Sequence, residues 1–257
     1  MDITSFSRGQ ISDGLKRAKF RQNSNEQTVR ILFSPRQITD QNFDEVCKSY
    51  ARIEKDDFDT VVIVESHPGS AEKKLPMPSF KSIQTKLGEV MANDKLRNDF
   101  CDEDDDFFID DAAFDEELSL YDQLMMLQCS LDSFSVLSMQ ITDENSFIVK
   151  ELAFALEEIL ASKNALLVIC CDLEPSHKEE FENVISLNES DNLSGLMNYL
   201  NTGSSSIEGL GAFIAGLIVA DKWGLKLHFE SLADKTSSPH NLLTGFAVMH
   251  QKQPMYG

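Results

Sequence analysis

The sequence predicts an α/β fold on a mostly parallel sheet, and three observations lead to it. Two continuous apolar runs, 61–64 (VVIV) and 165–171 (ALLVICC), have the length and β-branched content of strands buried on both faces. Each empties into a polar turn, Glu65-Ser66-His67-Pro68-Gly69 after the first and Asp172-Leu173-Glu174-Pro175-Ser176-His177 after the second. Between strand-like runs lie segments with apolar residues at helical spacing, the alternation of an α/β chain. In open α/β sheets ligands bind at the carboxyl ends of strands, so the two polar turns mark the expected site.

In chain order, residues 1–28 lack a strong period and read as an N-terminal arm or helix, ahead of a single domain over 29–257. Residues 29–33 (VRILF) form the first strand, followed by Ser34-Pro35-Arg36 and a helix over 42–53. The strand at 60–64 leads to a Pro-rich loop over 68–78 and an amphipathic stretch over 81–91, which completes a β, α, β, α order. Residues 134–140 (FSVLSMQ) read as a strand. Over 145–160, Ile148, Leu152, Ala155, Leu156 and Ile159 recur at helical spacing. After the strand at 165–171 come helices over 179–185, 193–200 and 209–221, then closing strands at 226–231 and 242–249. No internal repeat of fixed period is present.

Composition bounds the function. The 257 residues are 42% hydrophobic and include 17 Phe, so a chain with net charge −20 still has the material for a core. With 23 basic against 43 acidic residues, nucleic acid and anionic membranes are poor partners, because phosphate binding needs clustered cations. The five cysteines are odd in number and show no CxxC spacing, as expected in a reducing compartment; Cys170 and Cys171 close an apolar run and read as core. The basic N-terminus lacks the apolar stretch of a secretory signal. The longest apolar run, 210–220, is about half of a membrane span. The expected setting is cytoplasmic.

Few motifs carry chemistry. The acidic segment 102–122 invites calcium, but no register supplies both the Gly and the Glu of an EF-hand loop. The plainer reading is a solvated acidic loop entering a helix whose first turn, Asp115-Glu116-Glu117, complements the helix dipole. The 203–211 segment (GSSSIEGLG) has neither Walker spacing nor GxGxxG after a strand; Gly209 and Gly211 instead suit close helix–sheet approach, with Glu208 at the helix N-terminus. No GxSxG elbow is present. Of the histidines, His177, His228, His240 and His250 read as surface or satisfied residues, and His67 stands out by its place at a strand end.

The order of these landmarks resembles the MEMO-like proteins, also called AmmeMemoRadiSam system protein B. That family shares the three-layer α/β/α sandwich of the LigB-type class III extradiol dioxygenase subunit. The resemblance spans roughly 29–249. The family's strand ending in Ser-His-His looks like 61–68 here, and its Glu-His-Ser-Ile-Glu helix start looks like 117–121. Its Ser-Ser-Asp-Phe-x-His strand end looks like 170–175, and its Cys-Gly-x-x-Pro-Ile helix start looks like 208–213. The closing Leu243-Thr244-Gly245-Phe246-Ala247 fits its last strand loosely. The resemblance implies a cleft holding Arg36, His67, Glu117, Asp172 and Glu208.

The departures bear on activity. Where the family's Pro-His-Ala-Gly turn supplies a histidine, this chain has Pro35-Arg36-Gln37; Pro68, Leu118 and Pro175 replace three more. Glu208 supplies a carboxylate, but a nonhaem iron site wants two histidines beside it. Arg36 would set a permanent cation where a metal should sit. No cofactor is therefore expected. Iron or zinc, on His67, Asp172 and Glu208, belongs to the alternative.

Three functions compete. The first is a non-catalytic binding or regulatory protein whose cleft carries an ion pair of Arg36 with Asp172 or Glu208 and takes a small anionic ligand or a protein partner. The second is an enzyme, dioxygenase-like or hydrolase-like, with a non-standard residue set such as His67 as general base oriented by Asp172. In the third, the acidic segment meets a basic partner.

Overall fold

The computed structural model describes residues 2–21, 28–67, 74–114, 119–230 and 239–249. Its elements are α1 (Arg8–Arg21), β1 (Val29–Ser34), α2 (Phe43–Tyr50), β2 (Thr60–Ser66), β3 (Leu75–Met77), β4 (Ser82–Thr85), β5 (Gly88–Ala92), α3 (Asp94–Cys101), β6 (Phe107–Ile109), α4 (Leu120–Ser130), β7 (Ser135–Ile141), α5 (Ser146–Ala161), β8 (Ala165–Cys170), α6 (Lys178–Glu189), α7 (Leu193–Leu200), α8 (Leu210–Lys222), β9 (Leu225–Phe229) and β10 (Gly245–Met249). Eight strands form one sheet in the order β4-β5-β7-β2-β8-β1-β10-β9. The run from β5 to β1 is parallel, and antiparallel pairs close both edges. Strands β3 and β6 pair separately.

Side chains of successive strand residues leave opposite faces, and the two cores follow that alternation. Val62, Val64, Leu167, Ile169, Ile31 and Phe33 enter a core with residues of α5 and α8. Val61, Ile63, Leu166, Val168 and Leu32 enter a second core with residues of α1, α2 and α4. The fold is a three-layer α/β/α sandwich, and the fully buried β2 and β8 are the runs that predict a parallel sheet. Helix α1 gives Ile11, Leu15 and Ala18 to the second core.

Local chemistry sets the helix ends. Asn145 caps α5 by accepting the amides of Phe147 and Ile148 at 3.0 and 3.2 Å. Helix α8 begins after Gly209, whose φ of +77° is left-handed and whose Cβ position would lie 2.6 Å from the Cys170 carbonyl oxygen. Only glycine permits that approach.

One expected element is corrected. The amphipathic stretch 81–91 is the β4–β5 hairpin, not a helix. Ile83, Leu87, Val90 and Met91 imitate a helical stripe, but Gly88 at φ +129° turns the chain, and Thr85 Oγ1 donates to the Gly88 carbonyl at 3.0 Å. The acidic first turn expected at Asp115-Glu116-Glu117 lies outside the described residues, and α4 begins at Leu120.

Candidate functional site

Strands β1, β8 and β2 are neighbours, so their carboxyl ends open side by side. The residues that follow, Arg36, Asp172 and His67, line one cavity of about 690 Å³ with Glu208 from the turn before α8. Glu117 and Pro68 lie outside the described residues.

Two backbone hydrogen bonds hold Asp172 against Glu208, each amide donating to the other's carbonyl at 2.9 Å. The Arg36 guanidinium lies 3.5 Å from the Glu208 carboxylate, and the Arg36 backbone amide donates to Asp172 Oδ2 at 3.0 Å. Burial raises the Asp172 pKa to about 6, against the lowering effect of the Arg36 amide and with a further rise from Glu208. The carboxylate bonded to the first turn of α8 is that of Glu144, which accepts the Gly211 amide at 2.7 Å, while Ser66 Oγ accepts that of Ala212 at 3.0 Å.

His67 has a partner that its position alone does not reveal. Its Nε2 is 3.1 Å from Oε2 of Glu65, a fully buried carboxylate that also accepts the Ser119 amide at 2.9 Å. Among the described residues Glu65 supplies a carboxylate within hydrogen-bond distance of the imidazole, where Asp172 was the expected orienting group. Glu65 falls in the same two-residue phase as Val61 and Ile63, so an acid in an apolar phase was the signal available in the sequence.

Helix α4 holds the Arg36 turn. Asp122 Oδ2 accepts the Ile38 amide at 2.7 Å, and Gln123 Nε2 donates to the Pro35 carbonyl at 3.0 Å while its Oε1 accepts from Tyr50 at 2.6 Å. Glu45 of α2 accepts the His240 amide at 3.0 Å, and Asn241 donates to the Cys171 carbonyl at 3.0 Å. These bonds bring His240 to the cavity wall, which His177 also lines. Both read as surface or satisfied residues in the sequence; His177 ends the polar turn after β8, whereas the approach of His240 depends on the long-range contact to Glu45, which spacing does not encode.

A family model for the Memo-like protein matches residues 10–249. The chain belongs to the Memo-like protein family. No curated protein matches it. Arg36, His67, Asp172 and Glu208 line one cavity, yet the described residues there do not fit a metal ion. Among the described residues, the group of three acidic, His or Cys side chains with donor atoms within 4.8 Å of one another is Asp104, Asp106 and Glu151, away from this cleft. His67, Asp172 and Glu208 form no such group, and the Arg36 cation stands beside Glu208. Among the described residues no helix is long and apolar enough to cross a membrane.

Proposed function

We propose that this Memo-like protein is a binding protein, without catalysis, whose cleft takes the anionic group of a small ligand at Arg36. The state of Arg36 supports the reading. Among the described residues its buried Nε has no hydrogen-bond partner, and the carboxylate at 3.5 Å belongs to Glu208, whose side chain is 71% exposed. A loose, solvent-screened pair is weak, so an oxyanion that reaches the guanidinium in bidentate geometry gains more than it displaces. Thermal shift and calorimetry with acetate and inorganic phosphate test it. Binding by the wild type, lost in Arg36→Ala, is expected; equal binding by the variant would place the anion elsewhere. Stoichiometric iron or zinc in purified protein would defeat the metal-free part.

The Glu65–His67 pair favours a second reading, acid–base chemistry by an imidazole oriented through a buried carboxylate. It predicts hydrolysis of activated esters that His67→Ala abolishes with the fold intact. If the wild type shows no such turnover, or the variant keeps it, this reading fails.

A further inference from the structure

We propose that the ligand of this cleft is zwitterionic, its carboxylate on Arg36 and a protonated amine on the paired carboxylates of Asp172 and Glu208. The inference rests on the reading of Arg36 as an anion site and adds the opposite end of the ligand. Asp172 and Glu208 are a directly opposed antiparallel pair joined by two backbone hydrogen bonds of 2.9 Å, and side chains of opposed residues leave the same face. Both carboxylates therefore stand together. Their coupling is visible in the rise that Glu208 contributes to the Asp172 pKa.

One residue, Arg36, serves both acids. Arg36 meets Glu208 at 3.5 Å through its side chain and Asp172 at 3.0 Å through its backbone amide. Two carboxylates against one cation leave an excess negative charge, and the rim adds the exposed Glu174. Among the described residues that line the cavity, Arg36 is the one permanent cation. A plain anion entering to bond Arg36 must approach these acids, whose repulsion opposes it. An ammonium on the same molecule turns that repulsion into attraction while the carboxylate meets the Arg36 guanidinium. The cleft thus has a receptive group of each sign, set side by side.

The test compares glycine, β-alanine, γ-aminobutyrate and ε-aminocaproate with acetate, propionate, butyrate, hexanoate and the corresponding alkylamines. Binding is measured by calorimetry on the full chain, with EDTA present. One aminocarboxylate is expected to bind about tenfold more tightly than the carboxylate of its own length. Asp172→Asn should erase that margin. Glu208→Gln, on an exposed side chain with little folding risk, should narrow it while strengthening the plain carboxylate. Equal binding of aminocarboxylates and carboxylates overturns the zwitterion and leaves the anion site standing. Amines that bind as tightly as the aminocarboxylates overturn the two-ended ligand. If neither series binds the wild type, the anion site falls with it.

Discussion

Asp122 shows how a single buried residue links the cleft to solution pH. It is 7% exposed in the first turn of α4, and burial pushes its pKa up to about 7, against the Ile38 hydrogen bond and with smaller rises from Asp2 and Glu65. Its folded pKa lies above the ordinary aspartate value of 3.8, so its contribution to stability is fully present at low pH and fades as pH rises from about 4 through about 7. Asp122→Asn keeps an acceptor for the Ile38 amide and removes the titration. Relative to wild type, the variant should gain about 2–4 kcal/mol of stability between about pH 4 and about pH 8. Urea denaturation across that range measures it, and a pH-independent difference would show that Asp122 does not titrate in this window. Asp172, raised to about 6, acts with the same sign at the cleft wall. Glu65 is the other residue on which the site depends. A fully buried carboxylate is costly without partners, and its partners are His67 and the Ser119 amide. Gln140, level with it on β7, is fully buried, and both its amide atoms lack partners among the described residues. Polar groups at these depths mark the cleft floor as a place where the fold departs from plain core packing.

At the scale of elements, the strands and helices of the central layers were legible because their patterns agree with their environment. The runs at 61–64 and 165–171 sit in the middle of the sheet, where both faces are buried and nothing competes with β-branched packing. The 81–91 segment lies at the sheet edge, and there periodicity misled. Four apolar residues at helical spacing are outweighed by one glycine in a left-handed turn. That explanation has a direct consequence. Among the described residues nothing lies closer than 3.8 Å to a Cβ at Gly88, so Gly88→Ala should act through backbone strain and cost about 1–2 kcal/mol. Chemical denaturation measures it; a neutral substitution would mean that the hairpin does not depend on the left-handed turn. The site was legible in the same uneven way. Arg36, His67 and Asp172 follow strand ends and were visible as such; Glu65 and His177 stand in the same polar turns without their roles being evident, and His240 reaches the cleft by loop packing.

For the whole molecule, the question is whether the first helix is an appendage or part of the fold. Helix α1 places Ile11, fully buried, and Leu15 and Ala18 in the same core as Val61 and Val168 of the central strands. The sheet itself joins strands from both ends of the described chain, with β1 between β8 and β10. A core shared in this way couples its members, because removing one layer exposes the apolar face of the next. We therefore propose that the chain unfolds as one unit, α1 included. Ile11→Ala should cost about 2–4 kcal/mol through lost burial and the cavity left behind. Its effect should be a shift of the entire transition, with calorimetric and van't Hoff enthalpies in agreement as for wild type. An arm that merely lies on the surface would instead melt separately, and the variant would lower an early phase while leaving the main transition in place. The same experiment bears on the cleft. Leu120 and Leu124, which flank the α4 residues that hold the Arg36 turn, share this second core with α1, so loosening it should weaken ligand binding at Arg36 as well as lowering stability.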